Sequence, residues 1–291
     1  MILQLLANGL VAGCVYSLVA LGFGLIYNTT KIFHIAYGVV YIIAAYLFYT
    51  FARVLGLPLV MSFFLGLVFV ILLGVAIEIL IYFPFYQKRA SLGVILVASL
   101  GAYILLVNLV AMLYGNETKI LSLGIEETFC LGSVVFTRIQ LLQVVTFLIV
   151  FPLVLLFLGR TKLGRVIRAL ADNPSLVTVL GIDVRRLRIY IFAMGSFLAG
   201  LASCLVALDV GIDPYAGMNV FLIAAVAVII GGVGMFEGAV LGAFILAIGQ
   251  NLIIWQVSAK WQSTMVFLLL ILFLLFRPEG ILGKRQRLEE A

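Results

Sequence analysis

Charge is what this chain has least of: Asp, Glu, Lys and Arg make up 10% of its 291 residues, against 65% hydrophobic ones. A soluble domain needs far more polar surface, so the composition excludes one and requires a protein embedded in a bilayer. Histidine occurs once, at His34, and the three cysteines, Cys14, Cys130 and Cys204, form no CxxC pair. Without a Cys/His cluster there is neither a zinc-type site nor a disulfide framework, and all three cysteines read as small apolar fillers. The phosphate-loop pattern GxxxxGKS/T is missing, which excludes ATP binding by that loop. HExxH and GxSxG are missing too, which argues against an intramembrane hydrolase. No Lys or Arg precedes Lys31, so the basic start of a cleavable signal peptide is lacking and the first apolar run is expected to stay. Nothing in the sequence requires a cofactor. The basic balance, +6 overall, sits in short connections, where it marks the cytoplasmic side of a membrane rather than a nucleic-acid surface.

What is there is a series of long apolar runs. A hydrocarbon core of about 30 Å takes roughly 20 helical residues, which predicts spans near 2–27, 33–52, 58–83, 92–114, 139–158, 189–208 and 263–276. If these alternate, Lys31, Lys88, Arg89, the stretch from Gly159 to Arg188 and the tail with Arg277, Lys284, Arg285 and Arg287 share one side. The positive-inside rule then puts the N-terminus outside and the C-terminus in the cytoplasm. The bookkeeping closes only if residues 209–262 begin and end outside. Within them, 219–255 is too long for one crossing and is punctuated by Gly231, Gly232, Gly234 and Gly238, so a break is expected there. Residues 219–230 would rise only ~18 Å as a helix, which predicts a re-entrant or discontinuous hairpin. Irregular backbone at membrane depth is tolerated only inside protein or along an aqueous cavity, and is therefore a transport signal. Another irregular place is Tyr27 to Gly38, where Asn28 can act as a cap or turn residue. The fold expected is an all-α polytopic bundle of about eight transmembrane segments, one of them glycine-broken, forming a single domain over 1–291. The glycine-interrupted segments of the two halves hint at an internal repeat.

The stretch from Gly159 to Arg188 carries seven basic residues against two acidic ones, nearly the whole net charge. Leu163, Ile167 and Leu170 fall on one helical face and Arg165 and Arg168 on another, which predicts an amphipathic helix continuing from the fifth span. Asp172, Asn173 and Pro174 interrupt it. Asn173 suits an N-cap and Pro174 the first helical position, so a two-turn helix is expected from Pro174 to Leu180, stopping at Gly181. A short cytoplasmic helix of this kind fits a groove in a partner protein.

The chain resembles, over nearly its whole length, the permease subunits of branched-chain amino-acid type ABC importers. The importer signature of EAA followed by glycine is loosely met by Ser175, Leu176 and Val177 before Gly181, inside DNPSLVTVLGIDVRR. The family's glycine-rich pattern is met by Gly231, Gly232, Gly234, Gly238, Ala239 and Gly242, and YSLVALGFGLIYNTTKI is also similar. Where that family shows Asn-Phe-Ala-His-Gly-Glu after the first span, this chain has His34, Ile35, Ala36, Tyr37, Gly38 and Val39, so the acid is gone. The resemblance implies an inner-membrane permease of a prokaryote with no chemistry of its own. Its implied partners are a second permease, identical or homologous, two cytoplasmic ATPase subunits, an exterior solute-binding protein and membrane lipid, with no nucleic acid. It implies a path for branched-chain or hydrophobic amino acids, or a related small polar solute. It also implies that 159–188 is the ATPase-coupling segment and 277–291 a cytoplasmic tail. The coupling candidates are Gly164, Arg165, Arg168, Asn173, Pro174, Gly181 and Ile182. The path candidates are Asn28, His34, Tyr37, Gly38, Gly231, Gly232, Gly234 and Glu237.

Plainer readings stand beside these. The basic segment could be a solvated connection facing lipid headgroups, and His34 a hydrogen-bonded interfacial residue. Glu78, deep in the third span, should face the interior, sit protonated or snorkel, with a structural role. Glu237 reads equally as a gate-side charge or a solvated turn residue, and the many glycines and alanines as helix-packing surfaces. A secondary transporter or channel for a small solute such as urea or an amide is the alternative function, although it would need coupling ions or a polar filter that the spans lack.

Overall fold

The structure, a computed structural model, describes residues 2–121, 127–132, 134–172, 177, 179–256 and 258–283. Its helices are α1 (Ile2–Thr30), α2 (Tyr37–Val54), α3 (Leu59–Gln87), α4 (Leu92–Tyr114), α5 (Arg138–Arg160), α6 (Lys162–Asp172), α7 (Val184–Asp209), α8 (Ala216–Gly231), α9 (Phe236–Gln256) and α10 (Gln262–Phe276). Seven of them are long and apolar enough to cross a membrane, and α8 and α10 are shorter apolar helices. A two-stranded antiparallel hairpin, β1 (Thr128–Leu131) and β2 (Val134–Thr137), departs from the all-helical expectation. It is tied to the start of α1 by a reciprocal pair of 2.8 Å bonds between Gln4 and the Val135 backbone. Cys14 and Cys204 are buried fillers as expected, but Cys130 in β1 is exposed.

The most deeply buried helices are α1 and α7, which lie antiparallel at the centre, and α3, α4 and α5 surround them with outward-facing Leu, Val and Phe. That distribution is what a bilayer solvent permits. Several predicted boundaries shift. α1 continues through Asn28 to Thr30, so Asn28 is a helix residue rather than a cap. α3 runs four residues past the expected 83, and its residues Glu78–Tyr82 form a π-helical segment, a local insertion often found at functional places. α7 begins at Val184, not 189, so Arg185, Arg186 and Arg188 belong to a helix instead of a solvated connection.

The expected re-entrant segment is a helical hairpin. α8 has 16 residues, about 24 Å at 1.5 Å per residue, and runs to the end of the bundle that carries the basic connections. There Gly232 turns the chain with φ of 105°, a conformation that favours glycine, and α9 returns antiparallel to α1. The tail closes over this turn: the Ile281 amide donates to the Ile230 carbonyl at 2.8 Å and the Leu282 amide to the Gly231 carbonyl at 3.1 Å. Two carbonyls that α8's own helix leaves unpaired are thus satisfied. The glycine break is therefore a packed turn under the tail, not unwound backbone at mid-bundle.

Unwound backbone does occur in two other places. Residues 31–36 separate α1 from α2 and residues 210–215 separate α7 from α8, six residues each. The helices that follow start alike, with Val40, Tyr41, Ile42, Ile43, Ala44 and Ala45 in one matching Val220, Phe221, Leu222, Ile223, Ala224 and Ala225 in the other. They run in opposite directions from a common point. α2 ends beside the 115–121 connection, with Arg53 donating to the Leu121 carbonyl at 3.0 Å, whereas α8 ends under the tail. The two helix starts thus form an inverted pair.

Candidate coupling and translocation site

The common point is the contact of Gly38 with Gly217. A Cβ on either glycine would run into the carbonyl of the other, so the two helix starts approach as closely as backbones can. Tyr37, wholly buried, fixes the depth: its hydroxyl donates to the Val19 carbonyl at 2.9 Å, with the Gly195 carbonyl 3.4 Å away. Val19 and Gly195 lie in the middle parts of α1 and α7. The positive ends of two helix dipoles thus converge at mid-bundle, an arrangement suited to solute groups crossing a membrane.

His34 lies in the unwound segment before α2 and is fully buried. Its Nδ1 is 2.6 Å from the Tyr82 hydroxyl, which donates to Ser99 Oγ at 2.7 Å, and Ser99 also accepts from the Ala36 amide at 3.1 Å. That direction leaves Nδ1–H as the donor to Tyr82 and Nε2 without a proton; among the described residues Nε2 has no partner. His34 therefore pins the unwound segment to α3 and α4, hydrogen-bonded as in the plainer reading but buried inside the bundle.

The basic end holds the predicted coupling residues. Gly164, Ile167 and Leu170 form the buried face of α6, while Leu163 is 41% exposed and does not belong to it. Gly164 lets α6 press on the last turn of α5, where a Cβ would strike Phe157 and Leu158. Arg168 donates through Nε and Nη2 to the Leu158 carbonyl at 2.8 and 2.6 Å, capping α5 with a cation as the helix dipole favours. Arg165 points outward. Asn173 and Pro174, with the helix expected to begin there, lie outside the described residues. The stop is present: Gly181 has φ of 72°, and the Ile182 amide bonds the Val177 carbonyl at 3.4 Å, the 6→1 contact of a Schellman turn. Lys31, exposed next to α1's end, is lowered from the ordinary lysine value by partial desolvation, with the Asp172 carboxylate opposing the drop.

Asn28 Oδ1 accepts the Gly234 amide at 3.0 Å, joining α1 to the hairpin turn. Gly234, Glu237 and Arg168 line one cavity of about 250 Å³ between that turn and α5. Glu237 is exposed in the first turn of α9, where a carboxylate suits the dipole. Gly231 packs on Gly238. The candidates therefore sort into two places: Tyr37 and Gly38 at mid-bundle with His34 beside them, and the glycine turn with Asn28 and Glu237 at the basic end.

The sequence reading missed what holds that end together. Arg188 and Glu78 form an ion pair with side chains 4% and 1% exposed, through Nε to Oε1 and Nη2 to Oε2, the latter contact at 3.0 Å. Arg188 also lies over the Tyr86 ring at 4.8 Å, and Arg185 over the Phe83 ring at 4.7 Å. The first turns of α7 are thereby clamped to the end of α3, starting two residues after Ile182. The signal was available: a carboxylate inside an apolar run requires a buried partner, and Arg188 sits between Leu187 and Ile189.

A bilayer-spanning bundle with paired helix starts at its centre and a basic, rigidly attached connection at one end defines a membrane permease. The chain belongs to the family described as branched-chain amino acid transport system / permease component, whose model matches residues 5–275. It is 32% identical to the "High-affinity branched-chain amino acid transport system permease protein BraD" of Pseudomonas aeruginosa, covering 97% of this chain and 96% of that one. It is 30% identical to the corresponding LivH protein of Escherichia coli K12, with the same coverage. Among solved structures, a chain of "PsaBC from Streptococcus pneumoniae in complex with Fab" shares the fold, with a TM-score of 0.51 at 12% identity over 94% of this chain and 91% of that one.

Proposed function

We propose that this permease forms half of the translocation path of an ATP-driven importer for branched-chain or other apolar amino acids in a prokaryotic inner membrane. The observation that carries the coupling part of this reading is the Glu78–Arg188 clamp, which begins where the basic segment ends. Movement of Gly164 to Ile182 with a docked ATPase would pass into α7 and α3 as one rigid piece, rocking the path between two openings. Two cytoplasmic ATPase subunits hydrolyse the ATP, an exterior solute-binding protein delivers the solute, and the chain itself is not an enzyme. The relatives' names support the solute class. The basic connections support a cytoplasmic C-terminus and an exterior N-terminus, with 1–291 acting as one transmembrane domain and 277–291 as its cytoplasmic tail.

A second permease subunit is supported by α4. Asn108 is exposed on the same side as Gly101, Leu105 and Met112, and among the described residues its amide bonds the Ile104 carbonyl of its own helix, at 2.7 Å. An amide left toward lipid is unfavourable, which favours a protein or aqueous neighbour along this face.

Copurification tests the assembly. Affinity-purified complexes from the native membrane should contain a second permease and ATPase subunits in stoichiometric amounts. Solute flux through the purified chain without any ATPase would overturn the proposal in favour of a secondary transporter or channel.

A further inference from the structure

A cavity of about 310 Å³ lies between α2, α7 and the start of α8, beside the 115–121 connection. It is at the small end of the range for ligand sites, about 300–1,000 Å³. Most of its wall is aliphatic, from Ile42, Ala45, Val206 and Val220. Its polar side chains are Tyr41, Thr118, Ser203 and Asp213, joined by the peptide groups at the start of α8. Ser203, 1% exposed, lines the cavity, and its Oγ has no partner among the described residues. Asp213 supplies a carboxylate, one oxygen of which is held by the Tyr215 amide at 2.7 Å. Ala216 opens the first turn of α8, its own N–H bonded to the Asp213 carbonyl at 3.3 Å; the peptide N–H groups that follow lack helical acceptors and the dipole there is positive.

A buried hydroxyl without a partner is unfavourable unless a ligand or water completes it. An anion-favouring helix start next to a carboxylate, above an aliphatic wall, matches a molecule with a carboxylate and an ammonium on one carbon and a short apolar branch. We propose that this cavity is an outer binding site for a small apolar α-amino acid on its way to the paired helix starts at Gly38 and Gly217. The carboxylate faces the first turn of α8, the ammonium faces Asp213, Ser203 Oγ bonds one of the two, and the side chain lies against Ile42, Val206 and Val220. This rests on the importer reading above and adds to it a place in the chain.

The test uses the full complex in proteoliposomes, with Cys14, Cys130 and Cys204 replaced and Ser203→Cys introduced. A small cationic methanethiosulfonate added outside should modify this position, and L-leucine at about 10 mM, well above typical KM values of about 1 μM–1 mM, should slow modification at least ~5-fold, while L-arginine should not. In parallel, Asp213→Asn should lower ATP-driven L-leucine uptake ~10-fold or more, with Asp213→Glu recovering much of it; Asp213 is exposed and Asn keeps the oxygen that accepts the Tyr215 amide, so the turn is retained. Transport of L-leucine with unprotected or unreactive Ser203→Cys, or undiminished uptake by Asp213→Asn, would overturn the site and leave the importer reading standing. Absence of L-leucine uptake by the parent complex would overturn both.

Discussion

Arg188 grips Glu78 with two nitrogens while its guanidinium covers Tyr86, so that one turn of α7 holds two turns of α3. Removing one member of a buried pair leaves an uncompensated charge and costs about 3–5 kcal/mol, whereas replacing both by apolar groups is often neutral. Arg188→Ala should therefore lower the detergent melting temperature of the purified permease sharply and reduce its level in membranes. The double variant Glu78→Leu with Arg188→Met should restore the melting temperature. A double variant as unstable as the single one would contradict this account of the pair.

The contact of Gly38 with Gly217 has no room for a side chain. Gly217→Val and Gly38→Val should each abolish uptake by forcing the helix starts apart. Uptake at the parent rate in Gly217→Val, with protein present in the membrane, would show that the meeting point is not required.

Gly232 combines a positive φ with a tail that leaves no space for Cβ. The φ penalty for a non-glycine residue is about 1–3 kcal/mol, and displaced tail adds to it. Gly232→Ala should free the tail from the turn, speed cleavage after Glu279 by a glutamyl endopeptidase in inside-out vesicles, and lower uptake. Unchanged cleavage would mean that the tail does not depend on this turn.

Topology is open to labelling. An impermeant thiol reagent applied to intact spheroplasts should modify Cys130, which is exposed in β1, and should spare Arg165→Cys until the cells are opened. The reverse pattern would invert the orientation.

Much of this architecture is legible in the sequence, and what is hidden there has a common cause. Apolar run length places most of the helices, and the basic stretch marks α6, because both signals are local. Gly181 announces its turn for the same reason. The partnership of Glu78 with Arg188 spans 110 positions, and that of Gly38 with Gly217 joins opposite halves; a single sequence carries the need for such a partner but not its address. The glycine cluster at 231–238 reads as broken backbone at membrane depth, since glycine marks a break without saying at what depth it lies. The actual mid-bundle breaks are obscured for different reasons: residues 31–36 adjoin an apolar run, and residues 210–215 have the composition of an ordinary connection.

The central claim is that ATP hydrolysis in separate subunits reaches the path through the segment ending at Gly181, which the clamp makes continuous with the core. It is tested most directly by measuring L-leucine uptake and ATPase activity together in proteoliposomes holding the permease pair, the ATPase subunits and loaded binding protein. Gly181→Val disfavours the left-handed turn without touching the bundle, since nothing lies within 4 Å of a Cβ there. The account predicts uptake that requires ATP in the parent complex, and in Gly181→Val a loss of uptake with ATPase stimulation by the binding protein also lost. Uptake without ATP, or undiminished uptake and stimulation in Gly181→Val, would contradict it.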